Sequence, residues 1–264
     1  MRILNFLFSR SKQEQDKPIR DKLKTRKDFE RVLAEDLDIM ETTKARIDTA
    51  KDINLYMYRS LSYSYILILQ SKYSVDAKID ELRDIYIKSM YYFLQAFNKR
   101  NPIYADILNY VSLGVLLNIP DNNFRQLIDY VKQMDKQAKP SGWTPDLLLW
   151  FMLNSRLKEQ EKLKYAETLA YPRLYNGLYK VIQAPNAAAA KDALNKYLDK
   201  WYNLNSNAPW YNSHLKDNCY RGYWAWEVAA VAKIMHIDDS DLKNNQYYPY
   251  DMVHWADNET TAKE

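Results

Sequence analysis

Apolar residues recur every three to four positions through most of the chain, the spacing of one buried face on an α-helix. Phe29, Leu33, Leu37, Met40 and Ile47 form the first such stripe. Leu55, Tyr58, Leu61, Tyr65 and Leu69 form a second, and Ile79, Leu82, Tyr86, Met90, Phe93 and Phe97 a third. Ser74 or Asp76 is the expected cap of that third helix. Tyr104, Leu108, Val111 and Val115 give a fourth stripe. Phe124, Leu127, Val131 and Met134 give a fifth, opened at Asp121. No comparable stretch alternates with period two, so the pattern predicts an all-α protein without a sheet.

Lys139-Pro140-Ser141-Gly142 is the clearest interruption, since proline and glycine so close together stop helices. It predicts a seam between a helical half at 19–138 and a second at 143–255. Residues 1–18 would be a basic extension and 256–264 a polar tail. After the seam, Thr144 reads as an N-cap with Pro145 in the first turn. Leu147 to Leu153 is apolar on all sides, the mark of a central buried helix. Further helices are predicted at about 158–169, 173–183 and 187–203, a loop at 204–213, and a long aromatic helix from about Leu215 to Met235. Antiparallel helices stacked into a globular body is the economical arrangement of such elements.

Composition changes this picture in three places. Tyrosine is abundant, 23 of 264 residues, and suits both polar-rimmed cores and binding faces. The lone cysteine, Cys219, leaves no internal disulfide or cysteine-based metal cage, which fits the cytoplasm. The net charge of +4 is uneven. Residues 1–27 carry nine basic and three acidic residues, which leaves the remainder mildly acidic. Residues 215–264 carry five basic and nine acidic residues. The basic end reads either as a solvated segment or as an attractor of nucleic acid. Ile3 to Phe8 is too short to cross a membrane and reads at most as an amphipathic foothold.

Few residues suggest chemistry. Asp238, Asp239 and Asp241 follow the aromatic helix, as a negative patch toward a basic partner or as helix caps. Glu227 lies among Trp224, Trp226, Val228 and Val231, where a carboxylate needs a partner from another element. Gly222 would cost that helix about 1 kcal/mol against alanine, a cost that close helix packing would justify. His214, Asp217 and Cys219 do not share a helical face, and His236 and His254 lack ligand spacing. These positions predict neither an enzyme nor a metal or cofactor site.

The end of the chain carries a distinctive series: Tyr220, Gly222, Tyr223, Trp224, Glu227, Ala229 and Ala230, then Asp238, Asp239 and Ser240, then Tyr247, Tyr248, Pro249, Tyr250 and Asp251. Near the start stand Arg20 and Asp21, followed by Phe29. In these two regions the chain resembles the PoNi family, immunity proteins that protect bacteria against polymorphic nuclease effectors. The resemblance implies an all-α fold, a role in interbacterial competition, and direct inhibition of a DNase toxin, often one delivered by a type VI or related secretion system. It implies a basic nuclease domain as partner, with no direct contact to nucleic acid and no stable membrane insertion. The expected toxin-binding residues are Asp238, Asp239, Asp241, Asp251 and Glu227. Arg20, Asp21, Tyr220, Gly222, Tyr223, Trp224, Tyr248 and Pro249 are expected to be structural. The rival reading is a helical nucleic-acid-associated or scaffold protein using the basic N-terminal segment.

Overall fold

A computed structural model describes residues 18–52, 54–96, 103–138 and 140–255. The expectations for residues 1–17, Phe97, Lys139 and the 256–264 tail lie outside these. Among the described residues the protein has ten α-helices and no strand. The all-α expectation holds.

The chain forms two compact units, one of Met1–Ala96 with Asn212–Tyr223, the other of Phe97–Tyr211 with Trp224–Glu264. The turn at Pro140–Gly142 exists, with Gly142 at φ +76° and Trp143 N–H bonded back to the Pro140 carbonyl. The two units divide after Ala96.

The first unit is built from α1 (Arg26–Thr49), α2 (Leu55–Ser74) and α3 (Ile79–Ala96). Thr25 starts α1 through a reciprocal capping box. Its hydroxyl accepts the Asp28 N–H, and the Asp28 carboxylate accepts the Thr25 N–H at 3.0 Å. Asn54 caps α2 by accepting the Tyr56 N–H at 2.9 Å. The first two predicted stripes converge. Leu33, Met40, Leu61, Tyr65 and Ile68 make one buried cluster, with Leu37, Ile47, Ile85 and Tyr92 at its edge. Leu55 departs from its stripe and is exposed in the first turn of α2. Ser74 does not cap α3. It ends α2, and its hydroxyl donates to the Gln70 carbonyl.

The second unit holds α4 (Tyr104–Leu116), α5 (Asp121–Gln133), a π-turn (Met134–Ala138), α6 (Leu147–Asn154), α7 (Pro172–Ile182), α8 (Ala187–Leu204), α9 (Trp226–Met235) and α10 (Tyr250–His254). The cap of α6 is Asp146, not Thr144. The helix begins only at Leu147, and the short Asp146 side chain reaches the Leu149 N–H at 2.8 Å. Asp146 also accepts the Ala170 N–H at 2.7 Å. No α-helix forms over 158–169; a single 3-10 turn occupies Glu159–Glu161. The irregular backbone there is bonded elsewhere: Asn154 accepts the Leu163 N–H and donates to the Leu163 carbonyl, both at 2.9 Å. Close helix approach occurs at Gly177, where a Cβ would stand 2.6 Å from the Tyr197 ring.

The long aromatic helix is the largest correction. Only Trp226–Met235 is helical. Residues 220–225 are non-helical, and the Ala225 N–H bonds the Tyr247 carbonyl at 2.8 Å. His236, at φ +51°, closes α9.

Candidate functional site

Arg20 and Asp21 lie far in sequence from Tyr220, yet the first unit brings them together. The Arg20 guanidinium donates to the carbonyls of Tyr73 (3.1 Å) and Ala77 (3.0 Å), pairs with Asp76 at 3.1 Å, and stacks on the Tyr73 ring. It therefore ties down the end of α2, where the Ser74 carbonyl also accepts the Arg20 and Asp21 amides. Asp21 is buried and accepts the N–H groups of Leu23 and Lys24. Its second oxygen accepts the Tyr220 hydroxyl. Burial pushes this carboxyl above its usual range, and the Tyr220 bond opposes that shift. Burial, then the Asp21 charge, push the Tyr220 phenol up. Phe29 packs beside the Tyr220 ring, with centroids 5.7 Å apart. Arg20, Asp21 and Phe29 thus share one structural element with Tyr220.

Its neighbours belong to the same element. Arg221 makes a bidentate pair with Asp36, at 2.7 and 2.9 Å. Gly222 stands at φ +106°, and its carbonyl accepts the Gln70 side-chain amide at 2.8 Å. The Tyr223 hydroxyl meets Ser213 Oγ, the His214 N–H and His214 Nδ1, all within 3.1 Å. His214 therefore faces a phenol, while Cys219 is exposed beside Asn218.

Gly222 is thus required by backbone conformation; it is not in a helix. A side chain at this φ is strained whatever its size. Gly222→Ala and Gly222→Leu should therefore each cost about 1–3 kcal/mol, measured by denaturant unfolding. A harmless alanine beside a damaging leucine would make volume the cause.

The acids of the second unit separate into three situations. Asp238 precedes a 3-10 turn (Ser240–Leu242), Asp241 lies within it, and both are exposed. Both pair with Lys191 of α8, at 2.8 and 3.2 Å. Asp238 also accepts the Ser240 N–H at 3.1 Å, and Asp241 accepts the Asn195 amide at 3.0 Å. The Lys191 bond holds the Asp238 carboxyl far below its usual range, and the Asn195 bond lowers that of Asp241. Asp251 is exposed in the first turn of α10.

Asp239, in contrast, is turned inward and is 2% exposed, so it is not part of the surface patch. It accepts the Tyr248 hydroxyl at 2.7 Å and sits 2.8 Å from His254 Nε2, fastening α10 to the acidic turn. Glu227 is drawn into apolar packing and accepts the Trp201 indole N–H at 2.6 Å. Burial pushes its carboxyl up to about 7, against the Trp201 bond. Trp224 and Trp226 are buried with ring centroids 6.1 Å apart, and Tyr248 and Pro249 are buried at the start of α10. Asp36, Asp146 and Lys191 had no motif to single them out, although Asp36 was visible as a charge on the apolar face of α1.

Among the described residues no group of three His, Cys, Asp or Glu side chains could hold a metal ion. Nor is any helix there long and apolar enough to cross a membrane. Fold and site together describe an all-α protein whose distinctive residues serve packing and surface charge.

Two family models match. The PoNe immunity protein (PoNi) N-terminal model covers residues 19–129, and the PoNi C-terminal model covers 144–252. The chain belongs to the PoNi family, immunity proteins against polymorphic nuclease toxins. No curated protein matches it. Among solved structures it is similar to protein PA2201 from Pseudomonas aeruginosa, with a TM-score of 0.70 and 19% identity over 93% of each chain. At that identity the likeness concerns the fold.

Proposed function

We propose that this protein is a cytoplasmic immunity protein that neutralises a cognate antibacterial toxin, a DNase effector of a type VI or related secretion system, by occupying its active site. The observation that carries the reading is the family match over both parts of the chain. Electrostatics supply the means. A nuclease presents cations to phosphates, and an acidic surface competes for the same groove and steers its own capture. Asp238, Asp241 and Asp251 are the exposed acids of the C-terminal region that can serve this way. Asp239 and Glu227 act behind them as anchors. The inhibition needs no cofactor, metal or catalytic step of its own.

Co-expression with the C-terminal domain encoded by a neighbouring toxin gene tests the reading. Growth should be rescued, and unrelieved killing by a folded immunity protein would refute it. The contribution of the acidic turn has its own test. Asp238→Asn with Asp241→Asn removes two charges while leaving an oxygen to accept the Ser240 N–H. Association with the toxin should slow several-fold and lose part of its salt dependence, with melting temperature unchanged. Wild-type association by the double variant would remove this turn from the interface.

A further inference from the structure

In the second unit a cleft of about 210 Å³ is lined by Tyr104, Gly142, Trp143, Thr144, Ala170 and Tyr171. Three of its six walls are aromatic. The Tyr104 ring centroid lies 4.7 Å from that of Tyr171 and 6.3 Å from that of Trp143. Tyr104 is 6% exposed and Tyr171 43%, so the first lies at the base and the second at the rim. A Cβ built on Gly142 would meet nothing within 4 Å, so that side of the cleft is open.

Two carboxylates stand behind these rings. Asp146, fully buried, accepts the Tyr104 hydroxyl at 2.8 Å. Asp135 accepts the Trp143 indole N–H at 2.6 Å and that of Trp150 at 2.6 Å. Among the described residues neither carboxylate is ion-paired, and no basic residue lines the cleft. A ring whose polar hydrogen is bonded to a carboxylate carries more negative charge on its face, and an aromatic face already attracts cations. Burial, then the Asp146 charge, push the Tyr104 phenol well up.

We infer that this cleft is a receptor for a cationic side chain of the partner, an arginine of the toxin, stacked on the Tyr104, Trp143 and Tyr171 rings. A guanidinium fits because it is planar, weakly hydrated and stacks on aromatic faces. The inference rests on the immunity reading for its occupant, and a nuclease surface offers arginines because it must grip phosphates. The cleft would add a buried anchor to the long-range attraction of Asp238 and Asp241.

The test has two arms on the full chain. In the first, the tryptophan indole ¹⁵N–H signals are followed while arginine amide or its neutral isostere, citrulline amide, is added. The signal assigned through Trp143→Phe should shift with arginine amide only. That shift should vanish in Tyr171→Ala and persist in Tyr171→Phe. In the second arm, Tyr171→Ala should weaken toxin binding about 5- to 30-fold, while Tyr171→Phe stays within about twofold and both keep the wild-type melting temperature. An unmoved Trp143 signal, or wild-type toxin affinity in Tyr171→Ala, overturns the inference. If the wild-type chain does not bind the toxin, the immunity reading falls and the arginine of the toxin falls with it. Wild-type binding that ignores Tyr171→Ala refutes the cleft alone.

Discussion

Asp36→Ala is expected to destabilise the α1–α3 unit by about 3–5 kcal/mol, the usual cost of stranding one partner of a buried ion pair. The side chains of Asp36 and Arg221 are only 3% and 12% exposed, and their contact is bidentate. Removing the carboxylate leaves a desolvated guanidinium on the α1 face, with the Asn218 carbonyl still accepting from its Nη1 but the bidentate partner gone. The double variant Asp36→Leu with Arg221→Met should recover most of the loss, because it removes both charges and retains apolar volume. Chemical denaturation of the three proteins checks this. A single-variant loss below about 1 kcal/mol would mean that the pair behaves as an exposed one.

The second large effect depends on pH. Glu227 has a carboxyl pushed from 4.5 up to about 7 by burial. The folded protein therefore keeps a proton that the unfolded chain releases between about pH 4.5 and 7. Its stability falls as pH rises through that window, and the penalty is complete above it. At roughly 1.4 kcal/mol per unit, the penalty is up to about 3 kcal/mol. Glu227→Gln cannot ionise, yet its amide oxygen can still accept the Trp201 N–H. Unfolding at pH 5 and pH 8 should show the variant gaining stability on wild type, by up to about 3 kcal/mol at pH 8. Asp21 and Asp135 shift in the same direction but are common to both proteins, so they cancel in the comparison. A constant difference between the two pH values would show that Glu227 is ionised throughout and well solvated.

The two predictions involve different kinds of charge. Asp36 is a carboxylate made tolerable by a cation, so its removal is costly. Glu227 has an indole N–H and a backbone N–H for partners and keeps its proton, so its neutral replacement is favourable at high pH. The acids of the C-terminal series divide in the same way. Asp238 and Asp241 stay in solvent with Lys191 and can meet a partner, while Asp239 is held inside by Tyr248 and His254.

Helical periodicity is a local property, so it could be read from the chain alone. Phe29, Leu33, Met40, Leu82, Tyr86 and Phe93 fall on buried faces because their spacing allows little else. The apolar run at Leu147–Leu153 had to be central for the same reason, and the charge on Glu227 had to find a partner. The identity of that partner, Trp201, is a fact of packing between α8 and α9. The series around Tyr220 was legible as a motif but misread as a helix. Its aromatic and alanine content favours helix locally, whereas Gly222 takes a left-handed φ and the Tyr220 hydroxyl reaches Asp21 across 199 positions. Long-range hydrogen bonds of buried groups outweigh a propensity of tenths of a kcal/mol per residue. Likewise, three consecutive-looking acids became two surface charges and one internal anchor. Side-chain direction within a short turn is set by what packs against it, and only the tertiary structure brings Lys191, Tyr248 and His254 there.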